Sequence, residues 1–249
     1  MIGRAAAPWT RARPRPWIIA HRGASEEEPE NTLRALRRAI ELGADMVELD
    51  VHLSRDGHPV VIHDFRVDAT TDGAGEVSAL TLAELRRLDA GRGERIPTFD
   101  EFVAAADGRC GLYVELKGPG TAGPVMAAIR RHRVQESVIV GSFRPELVEA
   151  ARAAASDIPT SLLVRAAVTD PVGDTLAAGA AYVHLCWEKR SPNPADDVTP
   201  ALLASCRAAG LGVILWHEER PAVIERLRGL AVDGVCGNRP ELLQRLRTS

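Results

Sequence analysis

The sequence predicts an α/β fold: a closed (β/α)8 barrel of the TIM type, with a small insertion between its second and third barrel strands. Three observations predict it. Eight short apolar runs with strand character recur at 17–21, 46–54, 112–117, 138–143, 160–166, 182–187, 212–217 and 233–237. Amphipathic segments such as "ENTLRALRRAIELG", "RPELVEAARAAAS" and "TPALLASCRAAG" stand between them, and strands alternating with helices imply parallel βα units. Eight such units in 249 residues is the size of one closed barrel. A doubly wound open sheet is the alternative, and no G-x-G-x-x-G follows the first run to support it.

One segment breaks the alternation. Between about 65 and 111 lie the turn-rich "ATTDGAGEVS" and two helix-like pieces, "TLAELRRLDAG" and "TFDEFVAAAD". This is the insertion, and no linker elsewhere divides the chain, so residues 17–249 are expected to form a single domain. The first sixteen residues, with arginines and prolines but no apolar run, are expected to be a flexible arm.

Composition narrows the class. The chain is 45% hydrophobic and 26% charged, ordinary for a soluble globular protein, and long enough to bury a core without covalent staples. A net charge of -3 and the lack of a basic, aromatic-interleaved patch argue against nucleic acid as a partner. Cys110, Cys186, Cys206 and Cys236 form no C-x-x-C pair, so they read as small buried hydrophobes, not as zinc ligands or a disulfide framework. The N-terminus does not read as a secretory signal, and no 18-residue apolar span exists, so a cytoplasmic protein without a transmembrane segment is expected. The oligomeric state is not readable from the sequence.

The chemistry concentrates in "MVELDVHLSRDGHPVVIHD". Alternation puts Glu48, Asp50 and His52 on one strand face and Val47, Leu49, Val51 and Leu53 on the other. Both faces of a parallel barrel strand are buried, and apolar side chains suit the helix-covered side. The carboxylates therefore point inward, near the carboxyl end where barrel active sites lie. "DG" at Asp56 and Gly57 reads as a two-residue hairpin loop, which pairs Arg55 with His58 and sets His63 opposite Asp50. "YVELKG" brings Glu115 and Lys117 on one face, and "IIAHRG" ends its strand at His21 and Arg22.

Three crowded carboxylates repel one another, and a divalent cation resolves this. All-carboxylate ligation favours Mg²⁺ or Ca²⁺ over zinc. Two histidines nearby suit general acid and base roles, and Arg22 with Lys117 suits a phosphate. Glu115 with Lys117 alone would read as a buried ion pair, and His21 or His63 alone as structural. Their convergence describes phosphate-ester chemistry. His52 reads as support or solvent contact, and His58, His132 and His184 as structural. His217 reads as structural too, although its place at a strand end could bring it to substrate. Trp216, ending the seventh barrel strand, is a candidate wall for the substrate.

At "AHRGAS", "PENT" (Pro29 to Thr32), "VELDVHLSRDGHPVVIHD", "GEVSALTLAELRRLDAG", "IPTFDEF" and "VELKG" the sequence resembles the glycerophosphodiester phosphodiesterase family, with weaker matches at "VGSF", the strand of Trp216 and "DGVCGNRP". The resemblance runs from Trp17 to the C-terminus. It implies a TIM barrel with an insertion after the second strand, and hydrolysis of small-molecule glycerophosphodiesters to sn-glycerol 3-phosphate and an alcohol. It implies Glu48, Asp50 and Glu115 as metal ligands, His21 and His63 as the acid–base pair, Arg22 and Lys117 on the phosphate, and Glu30 in support. The same site on lysophospholipids, in the manner of phospholipase D-type barrels, is an alternative, and a non-catalytic barrel binding a phosphorylated ligand is another. The chain departs from the family pattern at Glu26–Glu27–Glu28, at Ala69 and at His217–Glu218–Glu219. The three glutamates predict repulsion from an anionic bilayer and attraction for a cationic alcohol such as choline or ethanolamine.

Overall fold

The structure is a computed structural model and describes residues 16–165, 169–186, 193–216 and 218–247. Residues 1–15 of the expected arm and His217 lie outside the described residues. Eight parallel strands close a barrel: β1 (Trp17–Ala20), β2 (Met46–Leu53), β4 (Gly111–Leu116), β5 (Val138–Ser142), β6 (Thr160–Arg165), β7 (Tyr182–Cys186), β8 (Gly212–Trp216) and β9 (Gly234–Gly237). Closure comes from β1, which pairs with both β9 and β2. The ninth strand, β3 (Pro59–Val61), runs antiparallel to the carboxyl end of β2.

Helices cover the outside: α1 (Leu33–Glu41), α4 (Ala122–His132), α5 (Pro145–Ala154), α6 (Pro171–Ala177), α7 (Pro200–Ala208), α8 (Pro221–Leu227) and α9 (Pro240–Leu243). Their starts are written locally. Proline opens α5 through α9, where its missing N–H and fixed φ carry no penalty. The Thr32 hydroxyl caps α1 by accepting from the Ala35 N–H.

Capping boxes open both α2 (Leu82–Leu85) and α3 (Phe99–Ala106), Thr81 with Glu84 and Thr98 with Glu101. α3 is the barrel's own covering helix between β2 and β4, with Phe99, Phe102, Val103 and Ala106 in the main core, which corrects the expected insertion of 65–111 to the segment ahead of α3. That segment has its own small core of Val67, Val77, Leu85 and Ile96, packed on Val60 and Ile62.

Strand alternation divides the main core as expected. Val47, Leu49, Val51, Val114 and Leu116 face the helices. Trp17, Ile19, Met46, Tyr113, Ile139, Leu163 and Ile214 fill the barrel interior. Above this apolar plug the inward positions turn polar.

The hairpin corrects one expectation. Its register pairs Val51 with Val61, His52 with Val60 and Leu53 with Pro59. The loop is therefore three residues, Arg55 to Gly57, and the Ser54 N–H donates to the His58 carbonyl at 3.0 Å. Gly57 takes the left-handed position (φ 82°) that such a loop needs. The physical reason lies in Ser54, whose hydroxyl donates to Asp56 Oδ1 at 2.7 Å and accepts the His58 N–H at 2.9 Å. Asp50 consequently stands opposite Ile62, whose N–H donates to the Asp50 carbonyl at 3.0 Å, and not opposite His63.

Candidate active site

The site is built on β2. Glu48 and Asp50 are buried on its inner face, and the parallel register sets Asp50 beside Glu115 of β4. One carboxylate oxygen from each of Glu48, Asp50 and Glu115 lies within 4.8 Å of the others. Burial, then the negative charge of Asp50 and Glu115, pushes the Glu48 carboxyl well above its usual range. Burial and the Asp50 charge push Glu115 up to about 7. Asp50 goes the other way. Burial opposes its charge most strongly, but Lys117, Arg22, His63 and the Asn31 hydrogen bond together outweigh that and hold it at about 2. Three oxygen donors, two of them lacking full charge compensation from the protein, fit a hard divalent cation.

The β1–α1 loop supplies one cation, Arg22, and the end of β4 the other, Lys117. Arg22 sits in the left-handed region (φ 56°), rare for a residue with a side chain, and its backbone N–H donates to Glu48 Oε2 at 2.9 Å. Its guanidinium donates through Nη1 to both Glu30 oxygens, at 2.9 and 3.0 Å, and Nε lies 3.4 Å from Asp50 Oδ2. Nε is buried without a hydrogen-bond partner. Gly23 must be glycine: φ is 85°, and a Cβ there would stand 2.6 Å from the Ala35 carbonyl carbon. Lys117, one residue past β4, donates from Nζ to Glu115 Oε1 at 2.8 Å and lies 3.5 Å from Asp50 Oδ1.

The two histidines reach the site by different routes. His21 directly follows β1, its Nε2 3.9 Å from Glu48 Oε2 and its Nδ1 2.6 Å from Asn238 Oδ1. His63 follows β3, and its Nδ1 lies 2.6 Å from Asp64 Oδ1. The turn after β3, not the strand register, brings His63 near enough for its charge to act on Asp50. His52 props that turn, with Nε2 3.0 Å from the His63 carbonyl, in keeping with a supporting role.

Trp216 flanks His21 with ring centroids 5.1 Å apart, and Phe143 extends this wall at 6.0 Å. His184 is buried in the barrel interior, where desolvation lowers it to about 3.

The sequence reading missed Asn31. Its Nδ2 donates to Asp50 Oδ2 at 2.9 Å, its Oδ1 accepts the Asp50 N–H at 3.2 Å, and its own N–H donates to the Arg22 carbonyl at 3.0 Å. The available signal was the asparagine of "PENT", a residue type that tolerates the left-handed φ of 58° found here. Two of the three glutamates of the acidic run in the same loop are occupied. Glu27 pairs with Arg38, and Glu28 with Arg34 of α1 and Arg92 of the insertion.

Fold and site together narrow the class to a barrel enzyme of phosphate-ester chemistry. Residues 21–242 match the model of the glycerophosphoryl diester phosphodiesterase family. A glycerophosphodiester phosphodiesterase of Caldanaerobacter subterraneus subsp. tengcongensis is 36% identical over 239 residues, covering 91% of this chain and 95% of that protein. The crystal structure of a glycerophosphodiester phosphodiesterase from Agrobacterium tumefaciens superposes with a TM-score of 0.81 at 29% identity, over 91% of this chain and 98% of that one. An Oleispira antarctica phosphodiesterase, solved in complex with the product sn-glycerol-3-phosphate, gives a TM-score of 0.82 at 29% identity, over 94% and 97%. The chain belongs to the glycerophosphoryl diester phosphodiesterase family. Among the described residues no helix is long and apolar enough to cross a membrane.

Proposed function

We propose that this chain hydrolyses small glycerophosphodiesters to sn-glycerol 3-phosphate and an alcohol, with Mg²⁺ or Ca²⁺ held by Glu48, Asp50 and Glu115. The observation that carries the proposal is the buried acidic triad, its oxygens within 4.8 Å, with Arg22 and Lys117 against it. The product seen in the Oleispira relative supports the substrate class. When bound, the cation supplies positive charge to a non-bridging phosphate oxygen as negative charge develops there.

The chain's own residues do the rest. Arg22 adds the positive charge of its guanidinium beside the phosphate, while Glu30 fixes Nη1 and Asp50 lies against Nε. Lys117 adds a second positive charge on the β4 side. Trp216 walls the glycerol.

One histidine takes the proton from the attacking hydroxyl, and the other gives a proton to the departing alkoxide. The attacker is the substrate's own glycerol 2-hydroxyl, whose oxygen bonds to phosphorus as the bond to the alcohol breaks. Water then opens the cyclic phosphate. The two rings differ in what holds Nδ1: a neutral amide at His21, a carboxylate at His63. A carboxylate shares the charge of a doubly protonated ring and an amide does not, so we assign His21 as base and His63 as acid.

The pairing of Glu27 and Glu28 with arginines leaves Glu26 of the acidic run to attract a cationic alcohol, so we expect only a weak preference for choline over a neutral polyol. Four buried thiols suit a reducing compartment, and we place the reaction in the cytoplasm. Release of glycerol 3-phosphate from glycerophosphocholine and glycerophosphoinositol, scored with Mg²⁺, Ca²⁺ or chelator, tests the proposal. Absence of turnover on every diester with either metal would refute it.

A further inference from the structure

We infer that Asn238 and Glu219 are positioning residues that hold His21 in the tautomer protonated on Nδ1. The inference rests on His21 being an acid–base group only for its kinetic consequence, not for the tautomer itself.

Asn238 directly follows β9, and β9 is the neighbour of β1 in the barrel, with Ile19 against Cys236 and Ala20 against Gly237. The His21 N–H continues this ladder to the Gly237 carbonyl at 2.9 Å, so ring and amide stand at matched heights. The amide oxygen, 2.6 Å from Nδ1, only accepts. Nδ1 therefore carries the proton, and the lone pair of Nε2 is left on the side of Glu48.

The amide is itself braced. The Asn238 N–H donates to Glu219 Oε1 at 2.7 Å. Glu219 sits just past β8, next to the buried Glu218. Glu218 receives Nε and Nη2 of Arg220 at 2.8 and 2.7 Å, and the backbone N–H groups of Glu219 and Arg220 at 3.0 and 2.8 Å. The ends of β8 and β9 are pressed together, since a Cβ on Gly237 would stand 3.0 Å from the Glu218 carbonyl oxygen. Glu218 and Glu219 belong to the segment after Trp216 where the sequence departs from the family pattern. Here they form a bracket behind a histidine.

The test reads the ring directly. ¹⁵N chemical shifts of His21 are measured in the Mg²⁺-saturated protein, at a pH where the ring is neutral, for the parent and for N238L, N238D and E219Q. The parent should show Nδ1–H. N238L should move toward the Nε2–H form that an unconstrained imidazole favours, with kcat falling about 10–100-fold, within the contribution of a positioned base, and KM changing less than about two-fold. N238D and E219Q keep an acceptor in place, and both should retain the parental tautomer; E219Q should also keep most of the turnover, whereas N238D gives His21 the carboxylate partner of an acid and should lower kcat. A proton that stays on Nδ1 in N238L overturns the inference, as does loss of the Nδ1–H form in N238D. A changed tautomer in N238L with parental turnover upholds the bracket and overturns the acid–base reading of His21.

Discussion

Single side chains set the chemistry through charge. Glu48→Gln, Asp50→Asn and Glu115→Gln should each weaken Mg²⁺ or Ca²⁺ binding by at least about tenfold, since ligand loss leaves three oxygen donors with two. Calorimetric titration reads this directly. His63→Ala should bind the cation normally yet lose about 10²–10⁴-fold in turnover, the usual contribution of a positioned acid or base. Loss of cation binding in His63→Ala would make His63 a ligand instead. The raised Glu115 predicts a pH dependence of stability in chelator. Its folded pKa of about 7 lies above the ordinary glutamate value, so the folded state holds the extra proton. Stability should therefore fall as pH rises from about 5 to about 7, with Glu48 adding in the same direction. Asp50, held at about 2, contributes the opposite slope only in strong acid. Melting temperatures across this range, with and without cation, check it. The metal should raise the melting temperature more at pH 8 than at pH 5, and Glu115→Gln should flatten the profile.

Elements place these groups by backbone geometry as much as by side chain. The β1–α1 loop works only because Gly23 lets it touch α1 while Arg22 and Asn31 take left-handed conformations. Gly23→Ala should cost about 2–4 kcal/mol, from a forbidden φ and a backbone overlap that nothing can relieve. It should also lower turnover, because it displaces Arg22. Urea unfolding separates this from Thr98→Ala, which removes the capping box of α3 and no contact of a site side chain. That change should cost about 1 kcal/mol and leave kcat unchanged. The same elements show where sequence reading fails. Period-two alternation marked the inward carboxylates of β2 and β4, since each residue's face depends only on its own strand. The hairpin register came out one residue short, because the Ser54 hydroxyl builds the turn and "DG" does not reveal that. His63 still reaches the site, through the turn after β3.

The whole barrel brings together what the chain separates. His21 and Asn238 are 217 positions apart, and closure of β1 on β9 is what sets them in contact. No local pattern announces such a partner. Glu27 and Glu28 looked like part of a bare acidic rim because Arg34, Arg38 and Arg92 become their partners only when α1 and the insertion fold over the loop. Strand–helix alternation and the motifs did reveal the fold and the acidic triad, since those depend on strands whose own residues carry the signal. The most direct test of a cation-dependent phosphodiesterase is release of sn-glycerol 3-phosphate from glycerophosphocholine by metal-stripped protein, before and after Mg²⁺ or Ca²⁺ is restored. Turnover should be absent before, return after in the parent, and fail to return in Glu115→Gln. Equal rates before and after restoration would contradict a cation held by Glu48, Asp50 and Glu115.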